Sequence, residues 1–492
     1  MTTNSHDKLK IIRDPIYGDI TIESNIFKKF IDTAQFQRLH NIKQTNLQVL
    51  FPSATHTRFE HSIGVFHVGK SIFDSICSKQ DDPHKEQLQS HKYRNTVLFA
   101  CLLHDIGHAP FSHIGEAFYS ADKNKEQFEK VTPIKITGKP PANHEIMSCL
   151  VANKVFRQQL DDFNVDWEFF CRLITGINYQ NENMDSETKI KNALINILSG
   201  LLDADKIDYI MRDAQSAGVN VIIDISRVVK SFNIVNIAGD YHYVVEKSGF
   251  SVANSIISNR NHLFSWIYGH HKVQYHYELI KRYFKMLKKS YRNEFDKLFS
   301  LEAITGTVVN INIPDETNPT VACYTDDNDL ISLMKLTKHL LSEPEYKLLY
   351  SHTFERNHYK AKWKTKVEFD LYKKQGDAWT EVRKKRIFAL ADNPENGIEN
   401  EVIKISNKTL NKGDFMIFRR SPNLLYPDSS PGEPLFYLPE LSKKLYKYDE
   451  IFNKSNATPD NDKDYMLYVF TKRADNDNHC IENKVIKILE NL

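Results

Sequence analysis

Residues 102–113 read LLHDIGHAPFSH and place His104, Asp105, His108 and His113 within ten positions, directly behind the apolar run VLFACLL. Imidazoles and carboxylates are ligands for divalent metals, and imidazole also moves protons near neutral pH. Two other stretches offer the same donors: His61 in RFEHSIGV, and Asp203 and Asp205 in DADKIDYIMRD. A His, an adjacent His-Asp dyad and a distant Asp make a nitrogen and oxygen ligand set. Such a set suits Mn, Fe, Ni, Zn or Mg and leaves coordination positions for water and substrate. His104 and Asp105 can share one ion only where their helix ends, and Gly107 and Pro110 supply that stop. Cations surround the donors. At 3.6 residues per turn, Asp205, Tyr209 and Asp213 share a helix face flanked by Lys206 and Arg212, and Arg58 lies one turn before His61. Carboxylate, phenol, ammonium and guanidinium on one face make a poor core and a good polyphosphate cradle.

These side chains need rigid elements to aim them. Apolar spacing predicts a helix over Ile26–Leu39, a second over RFEHSIGVFHVGKSIFDSI and a third over RNTVLFACLLHD. Residues 120–143 are lysine-rich and polar and read as an exposed loop. HEIMSCLVANKVFRQQL and VDWEFFCRLI read as helices, Asn181–Glu187 as a loop, and Lys191–Ala217 as one long helix broken near Gly200. IVNIAGDYHYVVEK is a hairpin around its GD turn, and Asn254–Leu287 is helical again. Beyond Leu301, strand-like TVVNINI, FMIFRR and YMLYVF alternate with the loops PDETNPT, YPDSSPGEP and NATPDNDKD. The expectation is a mainly α protein: a helical body over residues 1–300 and a smaller mixed α/β region over 301–492.

Composition narrows the class. Among 492 residues, 41% are hydrophobic and 26% charged, as in ordinary globular domains. A net charge of +2 gives no global attraction for nucleic acid. No stretch approaches the roughly 18 apolar residues that span a bilayer, and MTTNSHDKLKIIRD lacks the apolar core of a secretory signal. The six cysteines are scattered without a CxxC pair, which favours a reducing, cytoplasmic setting over a disulfide scaffold.

The order H…HD…D, with NHE and DADKIDYIMRD, resembles the HD-domain metal-dependent phosphohydrolases. IIRDPIYGDI, IDTAQFQRLHNIKQ, FPSATHTRFEHSIGV, LLHDIGHAPFSH and LLDADKIDYIMRD, between Lys10 and Asp213, are similar to the deoxynucleoside triphosphate triphosphohydrolases among them. RNHLFSWIYGHHKV extends the likeness. The resemblance implies an HD-domain body with a C-terminal lobe, and cleavage of a dNTP to deoxynucleoside and inorganic triphosphate by metal-activated water at the α-phosphorus. It implies metal ligation by His61, His104, Asp105 and Asp205, the Asp directly before Lys. Arg58, Lys206, Tyr209 and Arg260 would hold the triphosphate. His113 would protonate the leaving 5′-oxygen, oriented by Glu116, with His108 and His144 lining the cleft beside a second metal or a bridging water. Gln44, Asp213 and Tyr268 would contact the sugar, although Thr45-Asn46 stand where relatives commonly have Leu-Gly. Lys10, Asp32 and Gln37 match an activating-nucleotide site, with His40 where relatives have Arg. A homo-oligomer is implied as well.

Two other readings compete. One is an HD-domain nuclease or nucleotide phosphatase. The other is a nucleotide-sensing or nucleic-acid-binding scaffold with an inactive site, for which a complete ligand set has no use. The basic runs KRYFKMLKKSYR and VRKKR could bind single-stranded nucleic acid weakly, against the plainer reading of a solvated helix face. dNTP pool control and antiviral or anti-phage defence both fit the implied chemistry.

Overall fold

A computed structural model describes the chain apart from residues 1–7, 80–87, 89, 181–183, 313–319, 338–343, 375–378, 394–396, 421–434, 439–444, 453–465 and 473–478. Helices dominate, accompanied by four small sheets among the described residues. The chain forms two compact units. The first holds Met1–Arg260, Leu287–Leu333 and Leu425–Asn456, and the second holds Asn261–Met286, Met334–Leu424 and Ala457–Leu492. A division at residue 300 therefore falls inside the first unit. No helix among the described residues is long and apolar enough to cross a membrane.

The first unit opens with an antiparallel ladder of β1 (Leu9–Asp14) and β2 (Gly18–Glu23), Leu9 facing Glu23. The helix expected over Ile26–Leu39 is instead a relay of short turns: a π turn at Phe27–Ile31, a helix at Ala34–Gln37 capped by Thr33, and a 3-10 turn at Arg38–Asn41. Phe30, Ile31, Phe36 and Leu39 are all fully buried. A single straight helix presents one apolar stripe, whereas this relay turns four side chains inward, with Thr33 as the breakpoint.

The longer helices that frame the site in this unit are α1 (Arg58–Lys79), α2 (His91–Leu103), α3 (Ala121–Val131), α4 (Asn143–Val151), α5 (Trp167–Thr175), α6 (Ser186–Ser199) and α7 (Ala204–Ser216). α1 packs on both α2 and α7, which brings three ligand-bearing elements together. Phe99 of α2 packs tilted against Phe30 at 4.5 Å and edge-on against Phe163 at 5.0 Å, anchoring α2 just before its histidine end. α3 corrects the loop expected over 120–143. It carries a single fully buried aromatic, Phe128, so its lysine-rich remainder shows no obvious apolar period. The break near Gly200 separates α6 from α7, and Asp203 caps α7 by accepting the Lys206 N–H at 2.7 Å.

The hairpin pairs Phe232–Ile237 with Asp240–Glu246, and Ala238 and Gly239 at its tip both have positive φ, 54° and 89°. Such a two-residue turn matches strand twist and favours glycine. Leu435–Tyr437 adds to Asp240–Glu246 in parallel. The expected strand in TVVNINI narrows to Val309–Ile311, paired with Thr320–Ala322. The helix expected over Asn254–Leu287 divides into Phe250–His262 and His271–Ser290 around a π turn, Leu263–Tyr268.

In the second unit, FMIFRR and YMLYVF supply the strands Phe415–Arg420 and Met466–Thr471, with Lys360–Ala361 on the other edge of Met466–Thr471. Tyr275 and Tyr283 are buried completely, and Arg282 is clamped by Glu399 at 2.8 Å. The loops YPDSSPGEP and NATPDNDKD, and all but the last residue of PDETNPT, lie outside the described residues.

Candidate metal centre

The first turn of α1 carries His61, whose ring is wholly buried. Its Nδ1 lies 2.7 Å from Asp208 Oδ2, which leaves Nε2 pointing at Asp205 Oδ1, 3.0 Å away, and at Asp105 Oδ2, 3.5 Å away. α2 ends at Leu103, so His104 and Asp105 sit in the turn beyond it. His104 Nδ1 meets the Cys101 carbonyl at 2.9 Å, and its Nε2 lies 3.3 Å from His61 Nε2. Each ring thus has one nitrogen committed to an oxygen and the other turned inward. His61, His104 and Asp105 bring one donor atom each within 4.8 Å of one another, a grouping of hard and borderline donors that could hold a divalent cation, and Asp205 Oδ1 stands beside it, 3.0 Å from His61 Nε2 and 3.9 Å from His104 Nε2.

Electrostatics point the same way. Burial opposes a charged His61, but Asp205, Asp208 and Asp105 outweigh it and raise its pKa to about 10. Burial likewise works against an ionised Asp105, yet Arg58, His104 and His108 hold its carboxyl well below the usual range. The pocket therefore keeps its carboxylates ionised and draws positive charge to the point between them. Gly107 permits the turn that makes this possible: a β-carbon there would overlap the backbone of α4 at Ser148, and its N–H donates to Ser148 Oγ at 2.9 Å.

A second cluster adjoins the first. Glu116 meets His113 Nδ1 at 2.7 Å through Oε1 and His144 Nδ1 at 2.9 Å through Oε2. His108 stacks on His144 at 4.1 Å and is fully buried. It lies 3.3 Å from both Asp105 Oδ1 and Glu116 Oε1, without the alignment of a hydrogen bond, and so links the two groups. The side chain of His113 is 62% exposed, so this cluster opens to solvent more widely than the first, where Asp205 is 33% exposed. Its backbone is unusual: Phe111 and Ser112, just before His113, have φ of 59° and 49°. Left-handed conformations in residues with a β-carbon are costly and concentrate at functional sites.

The cationic side chains are engaged inside the protein. Arg58 donates to Asp105 Oδ2 at 2.7 Å, Ser112 Oγ at 3.1 Å and the Gln44 carbonyl at 3.3 Å. Lys206 holds Asp203 Oδ2 at 2.6 Å and the Gly200 carbonyl at 2.9 Å, so Asp203 serves the helix start while Asp205 faces His61. Arg260 donates to the Tyr209 hydroxyl at 2.8 Å. Asp213 pairs with His56 at 2.7 Å, and Gln44 Oε1 is buried with no hydrogen-bond partner among the described residues. Tyr268 belongs to the second unit, edge-on to Phe264. Lys10 and Asp32 pair at the surface at 3.6 Å, Gln37 binds the Ile31 carbonyl at 2.9 Å, and His40 stacks on Phe59. Sequence reasoning missed Asp208 and His56. The signal for Asp208 was there, since it stands four residues before Arg212 on the α7 face.

The HD domain family matches residues 58–175. An uncharacterized protein of Mycoplasma genitalium is 32% identical over 264 residues, 52% of this chain and 55% of that protein. The deoxynucleoside triphosphate triphosphohydrolase SAMHD1 homolog of Dictyostelium discoideum is 31% identical over 47% of this chain and 41% of its own length. The chain spans about half the length of the curated relatives it matches. A crystal structure of a hypothetical protein from Aquifex aeolicus shares the fold, with a TM-score of 0.60 at 18% identity over 97% of this chain and 100% of that one. Residues 58–175 thus carry an HD domain, a domain that depends on divalent metals, and deoxynucleoside triphosphate triphosphohydrolases are among the proteins to which this chain is similar.

Proposed function

We propose that this HD-domain phosphohydrolase cleaves deoxynucleoside triphosphates to deoxynucleoside and inorganic triphosphate. The carrying observation is the continuity of the two clusters: His61, His104 and Asp105, with Asp205 beside them, lead through His108 to a solvent-facing His113 held by Glu116. His61, His104, Asp105 and Asp205 would hold a divalent ion, which would supply acidified water and a Lewis acid for phosphoryl oxygen. The protein's own groups do the rest. Glu116 fixes His113 Nδ1, so Nε2 faces the open side and can deliver a proton to the departing 5′-oxygen. Arg58, on Asp105 and Ser112, and the Arg260–Tyr209 pair would meet the phosphate oxygens, with Lys206 repartitioned from Asp203. Gln44, with its unpartnered oxygen, and Asp213 offer acceptors for the sugar hydroxyl.

The test is direct. Purified protein with Mn²⁺ or Mg²⁺ is incubated with each dNTP and rNTP, alone and mixed, and the products are separated by ion exchange. Deoxynucleoside with intact triphosphate is the expected result. Turnover confined to mixtures adds a nucleotide activator, for which Lys10, Asp32 and Gln37 are the residues to vary. Orthophosphate from nucleotide monophosphates, or cleavage of single-stranded nucleic acid, with no triphosphate released, overturns the proposal in favour of another phosphohydrolase reaction.

A further inference from the structure

Asp327 stands 216 residues beyond Phe111 in the chain, yet its carboxylate closes on the histidine-bearing turn. It is 4% exposed and opens the helix Asp327–Leu336. The cap position is Asp326, one residue before it. Asp326 and Asp329 bond locally: Asp326 accepts the Asn328 N–H at 2.8 Å, and Asp329 accepts the Asp326 N–H at 2.9 Å. Asp327 instead accepts two distant main-chain donors, Phe111 N–H on Oδ1 at 2.6 Å and Lys43 N–H on Oδ2 at 3.1 Å.

Those donors flank the proposed site. Phe111 starts the left-handed pair that leads into His113, and Lys43 precedes Gln44. Ser112 ties the same two segments together, donating to the Lys43 carbonyl at 2.6 Å and accepting from Arg58 Nε at 3.1 Å. Buried Arg38 brackets the turn from its other end, donating to the His108 carbonyl at 2.6 Å and to the Thr325 carbonyl at 2.7 Å. An unfavourable backbone persists only where its surroundings over-determine it, and here the determinants are these four side chains.

We propose that Asp327 is a positioning residue for the reaction, a two-oxygen clip that holds the Phe111–Ser112 turn, and through it His113, in register with the Gln44 loop. This rests on the reading of His113 as proton donor. A carboxylate is needed because both clipped groups are N–H donors; an amide offers one acceptor and sets an NH₂ against the other donor.

The experiment compares wild type with D327N on two independent readouts. Amide exchange should quicken at least about tenfold in peptides covering residues 41–46 and 108–116 and stay unchanged in α6. With metal content intact, kcat should fall about ten- to a hundredfold while KM moves less. F111G/D327N should recover part of the lost kcat, because glycine takes the left-handed conformation without help. Unchanged exchange at both segments, or a kcat loss that follows lost metal, overturns the proposal. Should D327N fail to fold, wild-type exchange still decides, since fast exchange at Phe111 and Lys43 also overturns it. A wild-type protein inert toward dNTPs would refute the proposed function alone, and the exchange readout would still judge the clip.

Discussion

His61 Nδ1 stands 2.7 Å from Asp208 Oδ2, and Asp208 is itself gripped by Nε and Nη2 of Arg212, both at 2.9 Å. Arg212 reaches on to Asp14 of β1 at 3.0 Å. The series fixes which imidazole nitrogen faces Asp105 and Asp205 and in what plane the ring lies. Partners of this kind typically change metal affinity by about ten- to a hundredfold when altered. Asp208→Asn keeps all four inward donors but loosens the ring, and its metal affinity is expected to fall by about that factor. Calorimetric titration with Mn²⁺ measures it, and equal affinity in the two proteins would assign Asp208 to packing alone.

Lys206 and Asp203 meet at 2.6 Å, with Asp203 completely buried. Burial and the neighbouring carboxylate raise the Asp203 pKa to about 7 against the pull of Lys206. Removing one partner of such a pair leaves the other uncompensated and costs about 3 kcal/mol. Lys206→Ala is expected to lose stability by roughly that amount as well as activity, and Asp203→Asn in the same chain to return part of the stability. Urea denaturation of the single and double variants reads the coupling. Additive losses would mean that Lys206 is free to act on substrate without a structural duty.

The candidate donors that the structure brings together, His61, His104 and Asp105, were legible in the sequence because the Gly107 and Pro110 stop carries two neighbouring side chains off the end of a helix. Their supports were less so. Asp208 was within reach of helical periodicity, but Asp327 and Arg38 act on main-chain groups 216 and 70 residues away, and nothing in local spacing records such contacts. The elements failed for related reasons. α3 buries one aromatic in eleven residues, too little for a period, and the relay after β2 is shaped by four inward side chains rather than by propensity. Spacing found cations near the ligands, but it could not show that Arg58, Lys206 and Arg260 already hold protein partners.

His144 supplies a pH dependence with a definite sign. Burial alone would lower its pKa, but Glu116 at 2.9 Å lifts it to about 9. The unfolded residue titrates near 6.5, about as in model peptides. The folded protein thus holds this proton more tightly. The associated stability is complete below about pH 6.5 and disappears as pH rises through about 9. His61, raised to about 10, adds a slope of the same sign, so the informative quantity is a difference. In chelator-treated protein, the fall of Tm from pH 6.5 to 9 is expected to be shallower for His144→Gln than for wild type. Parallel Tm curves would show that the Glu116 contact contributes no linkage.

The last expectation separates the two clusters. Asp205 lies 3.0 Å from His61 Nε2 within the inward set, whereas His113 is 62% exposed and tied only to Glu116 at 2.7 Å among its described polar contacts. If the first cluster holds the ion and the second moves the proton, the variants must differ in kind. Asp205→Ala is expected to lose both metal and turnover. His113→Ala should keep its metal and lose about a hundredfold or more in kcat, as removal of a general acid does. A substrate whose leaving group needs no proton, such as a p-nitrophenyl ester of a phosphate chain, should restore most of that loss in His113→Ala and none in Asp205→Ala. Metal analysis beside the two rate ratios decides. Equal metal loss in both variants would make His113 a ligand and remove the proton donor from the proposed reaction.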